Sequence, residues 1–166
     1  HVGDTVAIAK RLGIPVVAVY ELATLLGWKG LETHAQHIGG QMAHPFGTVK
    51  FTPALHGSSM LDSERRFVQS AGCAAGILYT AEGQTVLHAG DTGLSSELEL
   101  IGRRHRIDLA LLPIGDNYTM GPADAAEAVR LLGVKHVVPI HYNTFPVIGG
   151  TIEECELVGD NEIVGG

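Results

Sequence analysis

The stretch that most restricts what this chain can fold into is Asp108-Leu109-Ala110-Leu111-Leu112-Pro113-Ile114. After its first residue it is apolar without interruption, which is the pattern of a strand buried on both faces rather than one. A helix pattern comes next at 122–132, with Pro122 suited to the first helical position, Ala125, Ala126, Val129 and Leu132 forming an apolar stripe, and Gly133 closing it. Residues 136–140 then read as the next strand. Alternation of this kind favours a layered α/β architecture.

The same alternation runs through the rest of the 166 residues. Residues 4–11 read as a helix that Asp4 can cap, with Val6, Ala9 and Leu12 on one face, Lys10 and Arg11 near its negative end, and Gly13 after it. Residues 15–20 form a valine-rich strand pattern, and 21–26 a short helix that Gly27 stops. Residues 48–52 alternate as a half-buried strand, while 57–66 are polar and charged and read as a surface loop. Strand candidates at 74–80 and 85–88 are joined by Ala81-Glu82-Gly83-Gln84, a hairpin turn. The 95–104 segment places Leu94, Leu98 and Ile101 on one helical face, acidic residues early and arginines late. Thr151 and Glu154 have the spacing of a capping box.

Composition sets outer bounds. Hydrophobic residues at 45% and charged ones at 17% describe a globular chain, and the length fits a single domain spanning 1–166. A net charge of -7, with no basic run, argues against a nucleic-acid partner. No apolar run approaches the roughly 20 residues of a membrane span. Cys73 and Cys155 lack any Cys-x-x-Cys spacing and are expected to be reduced, structural thiols in a cytoplasmic protein, Cys73 as a small buried residue.

The chemistry-bearing stretch is Leu87-His88-Ala89-Gly90-Asp91-Thr92-Gly93, which carries a carboxylate off the end of an apolar strand onto a glycine turn. His1, His56 and His141 stand at the ends of apolar stretches in the same way. Strands that share a sheet end on common rims, and imidazoles converging with a carboxylate make a nitrogen and oxygen metal site. The bland alternative is that Gly-Asp-Thr-Gly is an ordinary turn. His34, His37 and His44 read as residues alternating along half-exposed strands rather than as a zinc cluster, and His88 as packing at a strand end.

Taken together, the strand-Ala-Gly-Asp-Thr run, the isolated His56, Pro139-Ile140-His141-Tyr142-Asn143-Thr144-Phe145-Pro146 and the run from Gly115 to Pro122 closely resemble the metallo-β-lactamase superfamily. Within it they are similar to a branch of uncharacterised metal-dependent hydrolases related to ascorbate-6-phosphate lactonases. The resemblance implies an αββα sandwich in partial form. His1-Val2-Gly3-Asp4 resembles the last histidine of the family's His-x-His-x-Asp-His signature together with the residues just after it. The expectation is therefore a single partial metallo-hydrolase domain lacking its amino-terminal strands and most of that motif.

The resemblance also implies a ligand set and a reaction. The intact protein would hold two divalent ions, zinc first, with manganese or iron as alternatives. His56 and the bridging Asp91 would serve one ion; His1, Asp91 and His141 would serve the other. A metal-bound hydroxide would hydrolyse a small-molecule ester, lactone or phosphoester, with activity impaired in the fragment. Tyr142 and Asn143 are candidates to donate to a developing oxyanion, or else shape the turn. A homo-oligomer is compatible with the sequence. The alternative function is a non-catalytic α/β binding or interaction module whose histidines are structural.

Overall fold

The computed structural model describes residues 2–156 and 162–163. In chain order the elements are α1 (Thr5–Leu12), β1 (Val16–Val19), α2 (Tyr20–Trp28), β2 (Thr33–Gln36), β3 (Gln41–His44), β4 (Gly47–Pro53), β5 (Ser59–Asp62), β6 (Phe67–Ser70), β7 (Ala75–Ala81) and β8 (Gln84–His88). They continue as α3 (Glu97–Arg104), β9 (Leu109–Pro113), α4 (Pro122–Leu132), β10 (His136–Ile140), α5 (Ile152–Glu156) and β11 (Glu162–Ile163). Seven strands share one sheet in the order β11-β10-β9-β8-β7-β4-β3, while β1-β2 and β5-β6 are separate pairs. β8, β9 and β10 run parallel, and β3, β4, β7 and β8 antiparallel.

The layers arise from the pleat. Leu78, Leu87, Ala110 and Val137 are successive cross-strand neighbours, so they share one face of the large sheet. They are buried there in one cluster with Leu98 and Ile101 of α3 and Ala125, Ala128, Val129 and Leu132 of α4. Tyr79, one residue on from Leu78, must point the other way. It does: with Val49 and Phe51 it meets Val17, Val19 and Leu22 from β1 and α2. Val16 turns to the opposite side of β1 and joins Ala9, Leu26 and Leu31 in a third cluster, with α1 and α2. Helices, small sheet, large sheet and helices therefore stack in that order, the αββα arrangement expected from the sequence.

Within the 108–114 run, Leu109–Pro113 form β9, an interior strand of the large sheet, with Ala110 and Leu112 fully buried. Elsewhere local expectations shift. Asp4 makes no side-chain cap on α1, and Leu12 is exposed. α2 does not stop at Gly27 but runs to Trp28, and the left-handed residue after it is Gly30 at φ +82°. The supposed surface loop at 57–66 contains β5 and begins a hairpin with β6, pairing Leu61 with Val68. Cys73 is exposed rather than buried, because it lies in the link between β6 and β7 and not inside a strand. Cys155 falls within α5, and its side chain lies outside the described residues. The capping box forms: the Thr151 N–H donates to Glu154 Oε2 at 3.0 Å and the Glu154 N–H to Thr151 Oγ1 at 3.3 Å. Among the described residues no helix is long and apolar enough to cross a membrane.

Close approach of α3 and α4 depends on Gly102, where an added Cβ would lie 2.4 Å from the Leu132 carbonyl oxygen. Gly102→Ala is expected to cost about 1–3 kcal/mol by overpacking, a drop in Tm of several degrees. Gly27→Ala, inside α2 where an added Cβ comes no nearer than 3.8 Å to Thr33 Oγ1, is expected to raise Tm instead. Thermal denaturation of the two variants checks both signs.

Candidate metal centre

Strand direction brings the chemical groups to one rim. β8, β9 and β10 are parallel, so their carboxyl ends lie together, and antiparallel pairing of Pro53 with Ala75 places the end of β4 at that edge as well. The ladder continues briefly past β8 through the Ala89 N–H to the Leu111 carbonyl at 3.0 Å. The chain then turns at Gly90, φ +69°, where an added Cβ would lie 2.9 Å from the Ala75 carbonyl oxygen. Asp91 is the next residue. His141 comes directly after β10 and adopts φ +55°, while His56 lies three residues beyond β4.

The three side chains meet on one atom. Asp91 Oδ2 is 3.3 Å from His141 Nε2 and 4.0 Å from His56 Nε2, and the side chains are 11%, 21% and 26% exposed respectively. His56 Nδ1 is 2.9 Å from the Gly57 carbonyl oxygen. A carbonyl only accepts, so Nδ1 carries the proton, and in the neutral ring Nε2 then presents a lone pair. Two electron-rich atoms, that lone pair and a carboxylate oxygen, therefore face each other, which favours a cation between them. His141 Nδ1 is buried without a hydrogen-bond partner.

Metal–ligand distances near 2.1 Å put neighbouring ligands on one ion roughly 3–4 Å apart, so both spacings suit pairs of ligands sharing a cation. Among the described residues no group of three or more His, Cys, Asp or Glu side chains is arranged to hold an ion. The donor chemistry fits a divalent metal, then, as two pairs joined at Asp91 and as part of a set. His1 lies outside the described residues.

A buried threonine ties the loops together. Thr92, 3% exposed, accepts the Leu55 N–H at Oγ1 (2.9 Å) and donates the same hydroxyl to the Gly93 carbonyl (2.8 Å). Gly93 N–H returns a bond to the Leu55 carbonyl, and the Met120 N–H donates to the Thr92 carbonyl at 2.9 Å. The loops bearing His56 and Asp91 and the loop between β9 and α4 are thus one hydrogen-bonded unit. At Gly115 an added Cβ would fall 2.1 Å from the His141 carbonyl oxygen, which brings the fourth loop against it. Sequence pattern does not single out Thr92, Gly115 or the fully buried Met120 for these roles; the only local signal is their place in the Gly-Asp-Thr-Gly and Gly115–Pro122 runs.

Tyr142 is half-buried and packs against the core beneath α3 and α4. Asn143, at φ +53°, donates Nδ2 to the Gly150 carbonyl at 3.0 Å and its N–H to the Ile148 carbonyl at 2.7 Å. His88 Nδ1 accepts the Gly90 N–H at 3.1 Å and so shapes the turn that presents Asp91. His34 and His44 are half-buried on β2 and β3, ring centroids 5.1 Å apart and edge-on, and His37 is exposed with Nδ1 accepting the Ile38 N–H. His56 and Asp91 also line a cavity of about 610 Å³ between β1, α2 and the large sheet.

Comparison with known proteins bears on the family and the fold. A family model described as the Beta-lactamase superfamily domain matches residues 2–142. A UPF0173 metal-dependent hydrolase of Bacillus cytotoxicus is 61% identical over 148 residues, 89% of this chain. The chain spans only 65% of that relative's length. Igni18, a metallo hydrolase from the archaeon Ignicoccus hospitalis, is 34% identical with a TM-score of 0.82, the match covering 98% of this chain and 70% of that one. The metallo-β-lactamase fold protein YhfI from Bacillus subtilis shares the fold at 16% identity and a TM-score of 0.70, covering 98% of this chain and 69% of that one.

Thr92→Val keeps the shape but leaves the Leu55 N–H without its acceptor, at an expected cost of about 1–3 kcal/mol. Urea denaturation should show that loss, and hydrogen exchange should show faster exchange at Leu55. Thr92→Ser, which keeps the hydroxyl, should stay close to wild type in exchange at Leu55.

Proposed function

The chain belongs to the metallo-β-lactamase superfamily, and from that premise we propose that His56, Asp91 and His141 are ligands in the metal centre of a hydrolase acting on small esters, lactones or phosphoesters. The observation that carries this is the meeting of two imidazole Nε2 atoms on one carboxylate oxygen, with the His56 tautomer set by the Gly57 carbonyl. In this reading His1 would complete the set with Asp91 and His141, and Asp91, with two carboxylate oxygens to offer, would serve both ions. Zinc suits the nitrogen and oxygen donors best, and manganese and iron accept the same set. Cytoplasmic location is part of the same proposal.

Divalent cations bound there would lower the pKa of water strongly, toward neutrality, and would polarise the scissile oxygen, the chemistry that hydrolysis at neutral pH requires. The protein's own part is positional. Turns at Gly90 and His141 fix the carboxylate and one imidazole at strand ends, and the Thr92 network holds the His56 loop against them. Asn143 uses one amide hydrogen on the Gly150 carbonyl; its second can donate to oxygen charge developing on the substrate, and Tyr142 is the other proposed donor.

Metal content and hydrolysis of p-nitrophenyl acetate, measured on wild type, Asp91→Asn and His141→Ala, test the proposal. Each substitution should weaken zinc binding at least tenfold and lower kcat/KM by about a hundredfold or more. Treatment with a chelator should abolish turnover and added zinc restore it. Unchanged metal affinity in both variants would contradict the assignment.

A further inference from the structure

Helix α3 buries one side and leaves the other uncovered. Leu98 and Ile101 face the core, whereas Leu100 is 50% exposed, and Glu97, Glu99, Arg103 and Arg104 are exposed around it. At 3.6 residues per turn, with Leu100 as origin, Glu97 and Arg104 fall about 60° and about 40° to one side and Arg103 about 60° to the other. The leucine is thus the middle of the outward face, with carboxylates toward the start of the helix and guanidinium groups toward its end. Acid early and base late suits the dipole of a lone helix, and an exposed leucine is common by itself. Neither accounts for the charges that stay unpaired. Arg103 reaches Glu99 at 4.0 Å, but among the described residues neither Glu97 nor Arg104 has an ion-pair partner in its own chain.

The unpaired charges are placed symmetrically about the leucine. Glu97 lies three residues before Leu100 and Arg104 four after it, about 4.5 and about 6 Å along the axis and on the same flank. A two-fold axis crossing α3 at a right angle beside Leu100 sets Glu97 against Arg104 of the partner subunit and Arg104 against Glu97 of the partner subunit, with the two leucines meeting between them. We infer that the chain forms a homodimer through this antiparallel pairing of α3 with the α3 of a second copy. Charge complementarity selects that occupant. Two copies with a net charge of -7 each repel over most of their surface, and they can approach where acid and base are balanced, as they are on this face. Parallel pairing would set Glu97 against its own copy, whereas the antiparallel pair also runs the helix dipoles head to tail. The helix is only about 12 Å long, less than a standard interface of about 800 Å² per partner needs, so the dimer is weak and sensitive to salt. Because β9 runs parallel to β8 toward the rim of Asp91, α3 between them runs away from it, and antiparallel pairing puts the two rims at opposite ends of the dimer.

Sedimentation equilibrium of the chain and two charge-reversed variants decides the matter. Wild type should show a monomer–dimer equilibrium with a Kd on the order of 0.01–0.1 mM in low salt. That Kd should rise at least about fivefold between about 0.05 and about 0.5 M salt, as screening shortens the reach of the charges. Glu97→Lys and Arg104→Glu should each weaken dimerisation at least about tenfold, since each turns two facing pairs from attractive to repulsive. Mixed in equal amounts, the two variants should form a heterodimer within about threefold of wild-type affinity, because every facing pair is then of opposite sign. Both positions are exposed, and far-UV circular dichroism should show both variants folded. Wild type that stays monomeric up to about 0.5 mM in low salt would overturn the inference and leave the face to a partner other than a second copy. A dimer that neither reversal weakens would place the interface elsewhere and overturn it too. So would two folded variants that fail to pair when mixed.

Discussion

Hydrogen bonding continues one residue beyond β8 and β9, through the Ala89 N–H to the Leu111 carbonyl and the Ile114 N–H to the Ile140 carbonyl. The three parallel strands are therefore locked level until the point where the chain turns away, and the turns inherit that level. Asp91 and His141 begin from fixed backbone positions, one after Gly90 and one directly after Ile140. Behind them lie Leu87, Ala110, Leu112 and Met120, all at 0% exposure. A packed interior of this kind deforms little, so the meeting of the side chains is held by the sheet more than by the side chains themselves.

The rest of the centre is built from backbone that accepts unusual conformations where loops press together. Glycine is required at 90, where φ is positive and a neighbouring carbonyl is close, and at 115, where the His141 carbonyl leaves no room for a Cβ. His141 and Asn143, neither of them glycine, both adopt positive φ on the loop after β10. Strain of that sort persists only where surroundings over-determine it, and here the Asn143 bonds to Ile148 and Gly150 do so.

Much of this architecture is legible in the chain. Long apolar periodicity marks β9 and α4, the Glu82-Gly83 turn marks the β7–β8 hairpin, and the placement of Asp91, His56 and His141 after apolar runs marks the rim on which they meet. The features that sequence pattern does not reach are local or cooperative. The β5–β6 hairpin carries polar residues among its apolar ones and exposes Leu61 and Val68, so it lacks the burial pattern by which strands are recognised. Cys73 is misplaced because a short residue beside an apolar run resembles core until the strand boundary is known. Thr92 is legible as a turn residue but not as the link between loops, because its partner Leu55 is 37 residues away and only the fold brings them together.

The central claim is that two imidazoles distant in sequence, those of His56 and His141, are metal ligands linked through Asp91. It is tested most directly by long-range nitrogen–proton NMR of protein labelled with ¹⁵N-histidine during a zinc titration. The account predicts that the Nε2 resonances of both His56 and His141 shift as zinc is added, while those of His34 and His37 stay in place. No shift at either His56 or His141 would contradict it.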